Sequence, residues 1–137
     1  MALEYAIDGY KSTGVLFLRD AEIGSTFYMS DAKIISVYGE KFKSAIASCE
    51  DFAIYFSSSE PYEIAVFKCL SRNDADEILK MCFERSDDKK VGLRFTGWEQ
   101  ASKAIIVSEY RNYVIFIFAD SQLRSDGAYE RIIEAIR

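Results

Sequence analysis

The spacing of apolar positions changes along the chain, and each change predicts an element. Leu3, Ala6, Ile7 and Tyr10 follow the i, i+3, i+4, i+7 pattern of a short helix, which Gly14 breaks. Residues 15–18 form a brief apolar run, readable as a strand or as a loop that plugs the core, and residues 21–25 read as a turn. Ser30 and Asp31 then precede Ile34, Ile35 and Tyr38, with Gly39 behind them. An N-cap, an acidic first turn and a terminal glycine bracket one helix. Phe42, Ala45, Ile46 and Cys49 continue with helical spacing.

Beyond residue 50 the period becomes two. Residues 52–57 and 62–69 are rich in aromatic and β-branched side chains and predict a hairpin across the turn Ser58-Ser59-Glu60-Pro61. Ser71 and Asp74 form a capping-box pattern ahead of a helical stripe of Ala75, Ile78, Leu79, Cys82 and Phe83. Residues 87–90 are expected to close that helix with solvated charge. Residues 91–102 are the least regular and hold Gly92, Gly97 and Trp98. A third strand is expected over 103–109, a tight turn at 110–112 and a fourth strand over 113–119. Ser125 and Asp126 are expected to cap a last helix with Ala128, Tyr129, Ile132, Ile133 and Ile136 on one stripe.

The sum predicts an α+β fold: a four-stranded antiparallel sheet built as two strand–strand–helix units, with both helices on one face. The strands are apolar on both pleats. In the fourth, Tyr113, Ile115 and Ile117 face one way and Val114, Phe116 and Phe118 the other. A second cover is therefore required, because an exposed apolar face of that size would seek a partner. The N-terminal segment, through residues 15–18 and the helix at Ile34, Ile35 and Tyr38, is expected to supply it as a third layer. The domain division is then residues 1–49 as a mainly helical cover and 50–137 as the sheet with two helices, within one domain spanning 1–137.

Composition narrows the chemistry. The 137 residues are 50% hydrophobic and 28% charged, ordinary for a folded domain. Seventeen basic against 22 acidic residues leave a net charge of −5, which argues against a nucleic-acid partner. Histidine is absent, which excludes Ser-His-Asp and Cys-His catalysis and His-ligated zinc. Cys49, Cys69 and Cys82 show no CxxC spacing. They read as small core hydrophobes and free thiols, with Cys69 and Cys82 too far apart to bridge. No apolar run approaches the roughly 18 residues of a membrane span. The expected chain is soluble, a monomer or weak dimer, without cofactor or metal.

Glu63 is the most informative carboxylate. It starts an apolar strand on the same face as Ala65 and Phe67, so it needs a cationic or hydrogen-bonding partner. Lys68 lies on the opposite pleat, which leaves Arg85 or Arg94. Glu63 reads first as a strand-end acid that is solvated or paired and second as a general acid or base. Trp98, Tyr110 and Tyr113 gather in the irregular loop and the following hairpin, either as a core lid or as a binding surface. Glu63, Arg85, Trp98, Tyr110 and Tyr113 are the candidate ligand-binding residues. Residues 74–77 lack the spacing and central glycine of a calcium loop, residues 92–97 lack the ending of a phosphate loop, and residues 57–59 have no base to activate them.

The run Glu63-Ile64-Ala65-Val66-Phe67-Lys68, the helix ending in Phe83-Glu84-Arg85, Ala104-Ile105-Ile106-Val107 and Asn112-Tyr113-Val114 together resemble an uncharacterised bacterial family of unknown function. Tyr28-Met29-Ser30 and Val37-Tyr38-Gly39 fit one of its branches, so the resemblance covers roughly residues 28 to 120. Such proteins are typically lipoproteins or membrane-anchored proteins of Gram-positive anaerobes. The resemblance implies an extracytoplasmic, membrane-anchored domain, here without the signal and lipid-carrying cysteine, and brings no activity or functional residues with it. Without it the expected location is cytoplasmic. The expected function is a non-catalytic binding or interaction module for a peptide, glycan or protein. The alternatives are a carboxylate-dependent enzyme and a structural assembly subunit.

Overall fold

The computed structural model describes residue 7 and residues 14–57, 62–92 and 99–137. Five strands form one antiparallel sheet: β1 (Gly14–Leu18), β2 (Asp51–Ser57), β3 (Glu63–Lys68), β4 (Ile106–Tyr110) and β5 (Tyr113–Phe118), in the order β1-β2-β3-β5-β4. The α+β class and the antiparallel sheet are as expected, but the strand count is not. The short apolar run at 15–18 is a fifth strand along the edge of β2, with Val15 opposite Phe56 and Phe17 opposite Ile54. It therefore lies within the sheet and does not cover it.

Five helices flank the sheet among the described residues: α1 (Asp31–Tyr38), α2 (Lys43–Ala47), α3 (Arg72–Gly92), α4 (Glu99–Lys103) and α5 (Gln122–Ile136), with a 3₁₀ turn at Glu40–Phe42. The caps explain their starts. The Ser30 side chain accepts from the Lys33 amide, and the Ser71 hydroxyl accepts from the Asp74 amide at 3.1 Å. Gly39, at φ 96°, ends α1 with its N–H on the Ile35 carbonyl. The last helix begins earlier than expected. Ser121 caps it by accepting from the Arg124 amide, and Ser125 is a buried residue inside the helix. The expected third strand is also shorter. Ala101 and Ala104 are buried on and just after α4, and the extended backbone begins only at Ile106.

Two cores lie on either side of the sheet. On one face Phe52, Ile54, Ala65, Phe67, Val114 and Phe116 meet Ile34 and Tyr38 of α1, Ile46 of α2, and Ile78, Met81 and Cys82 of α3. On the other, Ala53, Tyr55, Ile64, Val66, Ile115 and Ile117 meet Ala128, Ile132 and Ile136 of α5, together with Ile7 and Leu16. The three layers are as expected, but their allocation is not. The helices after β3 and β5 lie on opposite faces, and α1 and α2 share a face with α3. Strands apolar on both pleats demand two covers without specifying which helix goes where. The chain answers by leaving β3 at the Lys68 end of the sheet and β5 at the opposite end, as the pairing of Lys68 with Tyr113 and Glu63 with Phe118 requires.

Candidate functional site

Glu63 opens β3 between Phe56 and Phe118, its neighbours across the sheet, and is 2% exposed. A carboxylate in that row is stable only if cations come to it. They come from α3. Arg85 donates from Nε to Oε2 and from Nη2 to Oε1, both at 2.6 Å. Its Nη1 donates to the Val37 carbonyl at 2.9 Å, which ties the end of α1 into the cluster. Lys89, one helical turn on, places Nζ 3.3 Å from Oε1 and 4.5 Å from the Phe118 ring centroid. The Arg85 guanidinium also lies 5.4 Å from the Tyr38 ring and 5.7 Å from that of Phe56.

The charges in this cluster shift one another. Burial works against the Arg85 cation, but hydrogen bonding and attraction to Glu63 outweigh it and hold Arg85 above its ordinary value. For Lys89 burial wins over the pull of Glu63, and the ammonium falls below the usual lysine value. Tyr38 is pushed well up, by burial first and by the Glu63 charge second, and its buried hydroxyl has no hydrogen-bond partner among the described residues.

Of the residues singled out in the sequence, Glu63 and Arg85 are thus brought together, while Arg94 and Trp98 lie outside the described residues. Tyr110 and Tyr113 are elsewhere. They face each other across the β4–β5 turn, at the end of the sheet opposite Glu63, half-buried against the α5 side. The five candidates therefore do not form one site. Lys89 and Tyr38 were missed. The expected solvated charge at residues 87–90 holds for Asp87, Asp88 and Lys90, which are exposed, but not for Lys89: α3 does not close there, continues to Gly92 and carries Lys89 onto Glu63. The signal was the i, i+4 spacing of Arg85 and Lys89, which puts both on one helical face.

A different feature faces solvent. After β1 the chain makes a loop closed by the Leu18 amide donating to the Phe27 carbonyl at 2.9 Å. Arg19 Nε donates to the Cys49 carbonyl at 2.7 Å, and Met29 is buried in the core. The tip is a turn in which the Ser25 amide donates to Glu22 at 3.0 Å and Gly24 takes φ 90°, the left-handed third position of a type II turn. That turn throws Ile23 outward to 84% exposure, and Phe27 stays 47% exposed. Leu18, Asp20, Ala21, Glu22, Ser25 and Phe27 line a cleft of about 360 Å³ beside it.

Among the described residues no group of three or more candidate metal ligands converges, and no helix is long and apolar enough to cross a membrane. No protein-family model, curated protein or solved structure matches this chain.

Proposed function

We propose that the chain is a non-catalytic binding module that takes a short polypeptide segment bearing apolar side chains and a basic residue, in the cleft beside β1. One observation carries this reading. The loop is anchored at Leu18, Arg19 and Met29, yet its turn holds Ile23 and Phe27 in solvent beside a cleft. Apolar side chains displayed by a fixed backbone lose little entropy on binding. Glu22 and Asp20, the latter paired with Arg19 at 3.4 Å, supply the charge complement for a Lys or Arg of the ligand. One aromatic ring and two carboxylates suit such a segment better than a sugar. The carboxylate-enzyme alternative centres on Glu63, whose two oxygens accept from Arg85 while Lys89 stands against one of them. We also propose, from the motif resemblance in the sequence alone, an extracytoplasmic, membrane-anchored location for the module.

The test is selection of a displayed random-peptide library on the full chain, with Ile23→Ser/Phe27→Ser as the counter-target. Enriched peptides should combine apolar residues with Lys or Arg and bind the double variant at least tenfold more weakly. Peptides that bind both proteins equally, or a library that never enriches, would overturn the reading.

A further inference from the structure

We propose that Cys49 and Cys69 form a redox-modification site: a buried dithiol that closes to an intrachain disulfide by exchange with a low-molecular-weight disulfide. This rests on features separate from the cleft.

The geometry starts from strand register. Asp51 pairs with Lys68, and the Glu50 amide donates to the Lys68 carbonyl at 2.8 Å. Residues 50 and 51 thus both stand against Lys68, a bulge that brings Cys49 opposite Cys69. Directly opposed residues of an antiparallel pair lie about 4.5–5.5 Å apart between Cα atoms, inside the approximately 4.4–6.8 Å that a disulfide spans. Direction agrees as well. The pleat sends Cys69 to the same face as Ala65 and Phe67, and both cysteines belong to the core beneath α1, α2 and α3. Each thiol shifts the titration of the other, while Cys49 Sγ donates to the Ala45 carbonyl at 3.6 Å. Cys82, the third free thiol, is pushed up by burial and by the Glu63 charge.

The pair also divides the two roles that exchange needs. The neighbouring Cys49 thiol lowers Cys69 below its ordinary value, against burial and with Arg72 assisting, and the same contact raises Cys49, with burial adding to the rise. Cys69 is therefore the attacking sulfur. Its thiolate attacks one sulfur of the small disulfide and displaces one thiolate. Cys49 then loses its proton and attacks the Cys69 sulfur of the mixed disulfide, displacing the second. The two protons from the cysteines end on the two released thiols. The protein pair is oxidised by two electrons and the small disulfide is reduced by two. The new bond would fasten the chain just after α2 to the end of β3 and close the intervening segment into a loop.

Reduced full-length protein is incubated with oxidised glutathione, and its intact mass and non-reducing peptide map are recorded. The expected result is a loss of about two mass units, a 49–69 linkage, reversal by dithiothreitol and a higher Tm. Cys82→Ser should behave identically, and Cys49→Ala should show no such loss. A parallel incubation in urea just below the unfolding transition gives the reagent access to buried thiols. An unchanged mass in both incubations, a linkage that includes Cys82, or a stable glutathione adduct in place of the disulfide would overturn the assignment.

Discussion

Arg85 meets Glu63 edge to edge, Nε on one carboxylate oxygen and Nη2 on the other, both at 2.6 Å. With its remaining nitrogen on the Val37 carbonyl, a single guanidinium joins β3, α3 and the end of α1. The planar fork of arginine makes this possible, since a lysine would offer one point charge in place of two parallel bonds. The acid is 3% exposed at its side chain and the arginine 20%. The pair therefore acts where water screens little.

Removing the arginine should expose this dependence. Arg85→Met leaves Glu63 buried with only Lys89 against it, and loss of one partner of a buried pair costs about 3–5 kcal/mol. Lys89 puts the expected loss at the lower end of that range. Adding Glu63→Leu should restore much of the stability, because the stranded charge goes with it. Urea denaturation of the wild type, the single and the double variant measures all three. A single-variant loss under about 1 kcal/mol would contradict the clamp.

Lys89 offers a pH signature. Its folded value lies below the ordinary lysine value, chiefly through burial. At neutral pH both states hold the proton and the penalty is fully present. As pH rises through the folded value toward the unfolded value of about 10.4, the native state releases its proton first. The unfolded state then binds more protons, and stability rises with pH. Tyr38 and Cys82 are raised by burial and act in the opposite sense over the alkaline range, so the comparison must be a difference. Lys89→Met should be within about 1 kcal/mol of wild type at pH 7, and the wild type should gain on it toward pH 10. A flat difference across that series removes the argument.

Gly14 answers to close approach. A Cβ there would meet the Phe56 carbonyl oxygen, with the Phe56 carbonyl carbon and Tyr55 Oη each at 2.8 Å. The obstacle is largely backbone of the paired strand and cannot rotate away. Gly14→Ala should lower stability by at least about 2 kcal/mol, with faster hydrogen exchange over residues 14–18. A Tm within about 1 °C of wild type would show that β1 is not held this closely.

Arg111 carries backbone strain at the β4–β5 turn, where it adopts φ 56°. Asparagine tolerates that region far better and β-branched residues far worse. The order of melting temperatures should be Arg111→Asn above wild type above Arg111→Val. The gain for asparagine is about 0.5 kcal/mol, reduced by losing the guanidinium that lies 5.2 Å from the Tyr110 ring centroid. The reverse order would mean that this cation–ring contact outweighs the turn.

Several parts of this architecture are local and could be read from residue order alone. The Ser30 and Ser71 caps, the Gly39 stop and the alternation through β2, β3 and β5 each rest on neighbours within a few residues. The need of Glu63 for a cation followed from its face of β3, and Arg85 was among the few cations able to reach it. Only the tertiary structure decided which helix covers which face, because apolar pleats on both sides accept either arrangement. Only it placed Lys89 on Glu63, set Tyr110 and Tyr113 at the far end of the sheet from that cluster, and gathered Cys49 and Cys69 into one core cluster. Those relations join residues distant in the chain, and they depend on strand order and helix direction. Local periodicity carries no information about either.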